Sequence, residues 1–143
     1  MSGKLYLGRP VDPESGALTS DRFEYKTDRF VRHGVCIGMT GSGKTGLSVG
    51  LIEELVLEGV PVICIDPKGD LANLALLFPE LSGPDFAPWV DDGEARRKGI
   101  SVDDLGQKTA DMWRTGLGEW GIQGDRLAAL QSKMALKIYT PGS

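Results

Sequence analysis

Residues 38–45 read Gly38-Met39-Thr40-Gly41-Ser42-Gly43-Lys44-Thr45, a full G-x-x-x-x-G-K-[ST] phosphate-binding loop. No other feature restricts the fold as strongly, because such a loop works between a strand and a helix. Its flanks agree with that setting. Val35-Cys36-Ile37 is a short apolar run before it. After it Leu47, Leu51 and Leu55 share a helical stripe, widened by Ile52 and Val56. The expected order is a strand over 35–38, the loop, and a helix from about 44 to 58, ended by Gly59 and Pro61.

The spacing follows from the ligand. A triphosphate needs many donors at close range, and side chains are too bulky to supply them. Gly38, Gly41 and Gly43 let the backbone take φ > 0, so that successive N–H groups point inward. The helix opening at Lys44 adds free N–H groups and the positive end of its dipole. The expected nucleotide site is therefore Thr40, Gly41, Ser42, Gly43, Lys44, Thr45 and Gly46. Lys44 serves the β- and γ-phosphates of ATP, and the Thr45 hydroxyl serves Mg²⁺.

Val62-Ile63-Cys64-Ile65 reads as a second strand, apolar throughout, as in a parallel sheet covered on both faces. A right-handed crossover would join it to the first. Asp66 ends this strand. At the carboxyl end of a parallel strand it would face the phosphate loop, as a catalytic and Mg²⁺-side carboxylate beside Lys44; a turn at Asp66-Pro67 is the structural alternative. Asp70 reads as the N-cap of a helix carrying Leu71, Leu74, Leu77 and Phe78 and closed by Pro79.

The remainder divides into a small β-element over 1–30, the nucleotide unit over 31–79, a helical insertion over 80–134 and a last strand over 135–143. Leu5 and Leu7 alternate, as do Phe23 and Tyr25, with Pro10, Pro13 and Gly16 between them. Asp91 to Gly99 runs acid first, base last, glycine after, as a short helix does. Ser101-Val102-Asp103-Asp104 resembles a capping box, and Asp125 reads as another cap. Trp89, Trp113 and Trp120 read as helix-packing residues rather than base-stacking platforms. Cys36 and Cys64 read as reduced, buried fillers, and His33 as a packing or turn residue. Net charge is −4 with no basic face, so composition makes no case for nucleic acid. Met1-Ser2-Gly3-Lys4 leads into no apolar segment, and no run is long enough to span a membrane, which points to the cytoplasm.

His33 to Thr45, followed by Val62 to Asp70, resembles the HerA/FtsK group of P-loop ATPases, strongly over 33–74 and more faintly over 80–143. The resemblance implies an α/β fold with a RecA-like core. It also implies a hexameric ring and ATP-driven movement on double-stranded DNA. The Asp-Pro-x-Gly-[Asp/Glu] segment of that group falls on Asp66, Pro67, Gly69 and Asp70. Motors of this kind also use a later strand ending in Asp-Glu and an arginine finger, and neither is recognisable here. The expectation is therefore the N-terminal part of a larger motor core, binding ATP with little turnover. A small P-loop phosphotransferase and a non-catalytic nucleotide-binding fragment are the alternatives.

Overall fold

Short-range alternation builds the only ladder among the described residues. Leu5 and Leu7 fall on strand β1 (Lys4–Gly8), and Phe23 and Tyr25 on β2 (Phe23–Lys26). The two pair antiparallel with Leu5 opposite Tyr25 and an irregularity between Tyr6 and Gly8. Their connection is tied by Asp12, whose Oδ1 accepts from the Ser15 backbone N–H and hydroxyl, both at 2.7 Å. Leu5 is fully buried. The computed structural model describes residues 3–142. It divides into two units, Met1–Ala75 with Lys133–Ser143, and Leu76–Ser132.

In the first unit helix α1 (Lys44–Leu57) follows the glycine loop directly. It stops where Gly59 turns left-handed (φ 76°), with the Gly59 and Val60 N–H groups satisfying the Val56 and Leu55 carbonyls. Its apolar stripe is only partly covered, with Leu51 and Leu55 half-buried. Leu47 is 49% exposed, and the one buried residue of the helix is Glu54.

The parallel RecA-like sheet expected from the sequence is absent among the described residues. The described residues are mostly helical, with a single two-stranded antiparallel sheet. Segments 35–38, 62–66 and 135–140 carry no strand pairing. Ile63 is 93% exposed, and Val35, Ile37, Ile65 and Ile138 also face solvent. The reason is cooperative. A parallel strand gains nothing from its own sequence until a neighbour bonds its backbone and helices cover both faces. Here neither face of these segments is covered. Cys36 and Cys64 lie in them and are exposed free thiols, so the reading of both as buried fillers fails for the same reason.

The helix expected after Asp70 is also shortened, to a 3₁₀ turn over Asp70–Ala75 that leaves Leu77 and Phe78 outside it. Asp70 does not cap it. The Leu71 N–H goes to Asp66 Oδ2 at 2.8 Å, while the Asp70 carboxylate pairs with Lys68 at 2.5 Å.

The second unit is a set of capped helices. Ser82 opens α2 (Gly83–Phe86) with a capping box completed by Asp85. Asp91 opens α3 (Asp92–Lys98), which ends at Gly99 with φ 65°. Ser101 opens α4 (Val102–Glu119), its hydroxyl accepting from the Asp104 N–H at 2.9 Å while Asp104 reaches back. Helix α5 (Gly124–Lys133) follows; Asp125 lies inside its first turn and bonds the Arg126 N–H rather than standing at the cap. Leu81, Phe86 and Ala110 form the core, with Phe78, Leu117 and Leu127 against it. Phe78 meets Phe86 edge to face, centroids 4.9 Å apart. At Gly106 a Cβ would lie 2.8 Å from the Gly83 carbonyl, so the backbones of α2 and α4 meet where neither helix has bulk. Leu81 takes φ 46° without being glycine, and the Arg114 guanidinium donates to its carbonyl at 2.6 Å. Trp89, Trp113 and Trp120 are exposed, contrary to their reading as packing residues, because Ala110 and Gly106 rather than the tryptophans face α2.

Candidate functional site

The site is the turn from Gly38 into α1. Gly41 and Gly43 both adopt left-handed backbone, φ 82° and 85°, which side-chain-bearing residues rarely take. Gly38 does not need that conformation; it needs space. A Cβ there would lie 2.4 Å from Ser42 Oγ. The Ser42 N–H donates to the Met39 carbonyl at 3.2 Å, closing the turn. The first backbone bond of α1 runs from the Leu47 N–H to the Gly43 carbonyl at 2.9 Å. The N–H groups of Lys44, Thr45 and Gly46 precede it and have no partner within the helix. They sit at the positive end of a helix of 14 residues, with no acidic side chain in its first turn.

Lys44 folds back over this turn. Its Nζ donates to the Met39 carbonyl at 2.6 Å. That bond spans the loop and holds the ammonium beside the left-handed glycines instead of letting it range through solvent. Thr40, Gly41, Ser42, Gly43, Thr45 and Gly46 are exposed around it. An open cradle of backbone donors, one fixed cation and a hydroxyl on the next residue suits a polyphosphate and its metal. His33 is exposed and upstream of the cradle.

Asp66 is organised by its own turn. Oδ1 accepts from the Gly69 N–H at 2.9 Å and the Lys68 N–H at 3.3 Å, and Oδ2 from Leu71. Gly69, at φ 83°, lets the chain fold back over the carboxylate. These donors, Leu71 first, hold the Asp66 pKa below its ordinary value against the opposing effect of desolvation. Lys68 is raised by its bond to Asp70. Residues 40–46 thus form one continuous turn into α1, and the Asp66 hydrogen bonds fall within 66–71, none of them to that turn.

Sequence reasoning missed Glu54. At 8% exposed it is the buried charged residue of the first unit, and its Oε2 accepts from the Tyr6 N–H of β1 at 2.7 Å. A signal existed: Glu54 stands three residues after Leu51 and seven after Leu47, inside the face taken as apolar. An acid at such a position implies a specific partner.

Residues 15–80 match the family model for the helicase HerA-like C-terminal region. This part of the chain is similar to that family. The matched residues hold the whole phosphate loop, α1 and the Asp66 turn, and the HerA-like segment ends just inside the second unit. No curated protein and no solved structure matches the chain. Among the described residues no helix is long and apolar enough to cross a membrane.

Proposed function

We propose that this chain binds ATP or ADP with Mg²⁺ at residues 40–46, as the nucleotide-binding part of a HerA-like motor that moves or unwinds double-stranded DNA in the cytoplasm. One observation carries the reading: two left-handed glycines deliver the chain into α1 with Lys44 as its first residue and its ammonium already pinned over the turn. The matched HerA-like family supports the choice of motor over other users of such loops.

In this reading the N–H groups of Lys44, Thr45 and Gly46 take the inner phosphate oxygens, and Lys44 spans the β- and γ-phosphates. Mg²⁺ would be held by Thr45 and would offset charge between the phosphates. Asp66 has N–H donors on both oxygens. It acts best through a metal-bound water, since a carboxylate has about four lone-pair sites to share. Hydrolysis further needs a polarised water and a cation on the γ-phosphoryl group. The cation alone is worth about 10³–10⁵ in rate when an arginine supplies it. We assign those groups to other parts of a ring, so this chain binds ATP with little turnover.

Calorimetry with Mg·ADP on the wild type and Lys44→Ala tests the site. Removing a cation that pairs closely with the phosphates costs about 2–5 kcal/mol of binding. Equal affinity in two folded proteins removes Lys44 from the site. Phosphate release near one per second that vanishes in Lys44→Ala would instead make the chain a complete enzyme.

A further inference from the structure

The nucleotide loop uses the first turn of α1, yet the most enclosed charge on that helix lies well beyond it. Glu54 stands ten residues after Lys44, about 15 Å along the axis. Its carboxylate is buried and takes the Tyr6 N–H at 2.7 Å. Tyr6 lies in the middle of β1, opposite Glu24 of β2. A hydrogen bond from a buried strand N–H to a carboxylate is charge-assisted, and losing the acceptor strands a buried donor.

A second contact lies one turn further on. The Glu58 carboxylate sits against Gly3, so closely that a Cβ on Gly3 would fall 1.6 Å from Glu58 Oε2. The Gly3 carbonyl in turn accepts from the Thr27 N–H at 3.1 Å, just after β2. Two acids at i and i+4 therefore lie along one stretch of backbone, at Tyr6 of β1 and at Gly3 just before it, on one face of the helix. The hairpin thus meets α1 through backbone polar groups and carboxylates as well as through apolar side chains such as the fully buried Leu5.

We infer that Glu54 is a positioning residue that links the β1–β2 hairpin to nucleotide binding, with α1 as the rigid element between them. The inference rests on the proposed nucleotide site. Phosphates on the free N–H groups fix the first turn of α1. A straight helix carries that constraint to its third turn, where Glu54 fixes β1. Linkage is reciprocal: a nucleotide that favours the docked helix must tighten the hairpin, and a docked hairpin must strengthen nucleotide binding by the same factor.

The test is amide exchange at Tyr6 with nucleotide titrations, on the wild type, Glu54→Ala and Glu54→Gln. Saturating Mg·ADP is expected to slow Tyr6 exchange about fivefold in the wild type, the lower end of typical coupling. Glu54→Ala is expected to lose that response and bind Mg·ADP about fivefold more weakly. Glu54→Gln keeps an acceptor oxygen and is expected to restore most of both. Tyr6 exchange that speeds up in Glu54→Ala while affinity stays within about twofold overturns the linkage and leaves the binding site standing. A wild type that binds no nucleotide overturns both. If Glu54→Ala does not fold, the wild type decides alone, since a Tyr6 amide indifferent to saturating nucleotide refutes the linkage.

Discussion

The two units are stabilised by different kinds of contact. In Leu76–Ser132 neighbouring residues satisfy one another: Ser82 with Asp85, Asp91 with Gly93 and Glu94, Ser101 with Asp104. The helices so defined then close on Leu81, Phe86 and Ala110. The other unit depends on partners distant in sequence, such as Glu54 with Tyr6, and leaves Val35, Ile37, Ile63 and Ile65 facing water. Local chemistry finishes a helix without help. An apolar segment meant for a sheet stays open until something lies beside it.

The largest effect that could break this contrast is expected at Phe86. Phe86→Ala empties the centre of a small core, at a cost of about 3–5 kcal/mol. Amide exchange should accelerate throughout 76–132 and remain unchanged around β1 and β2. Collapse of both units together would mean that they share one core. Ser101→Ala comes next, at about 1 kcal/mol, because one N-cap acceptor is lost from a helix of 18 residues. A lower melting temperature confined to the signals of α4 and its neighbours is the expected result.

Those caps, with α1, are what could be read directly from the residues. Helix α1 ends within a residue of the expected boundary because Lys44 and Gly59 act on their own neighbours. The loop glycines were legible for the same reason. What the residues did not disclose depends on distant contacts: whether 35–38 would find a partner, whether Trp113 or Ala110 would face α2, and which acid would cap the turn after Asp66. Asp66 and Asp70 are both suitable caps by type. The left-handed Gly69 between them decides, because it folds the Leu71 N–H back onto Asp66.

That choice carries a smaller, pH-dependent expectation. The Asp66 carboxyl titrates below its ordinary value in the folded turn, so its contribution is present at neutral pH. It is lost as the pH falls through that depressed value, starting below about pH 4. Exchange at Gly69 and Leu71 should rise over that range. In Asp66→Asn the same amides should show no titration, and a persistent one would assign it to another group.

The smallest effect is the sharpest probe of the open segments. Ile63→Ser replaces an exposed side chain, and exposed sites away from caps and cores change stability by about 0.5 kcal/mol or less. A loss several times larger in a denaturant melt would show that residues 62–66 are paired after all, and would erase the contrast between the units.

The chain leaves its first unit after Ala75 and returns to it at Lys133. The second unit is thus one uninterrupted stretch, and the Gln131 side chain donates to the Leu77 carbonyl at 3.2 Å, near both of its ends. Chains emerge from the ribosome N-terminus first, and compact units fold as they become complete. Residues 76–132 are all available before the last segment of the other unit has been made. The unit that is started first on the ribosome is therefore the one that is completed last, and its nucleotide loop waits through the synthesis of an entire helical neighbour.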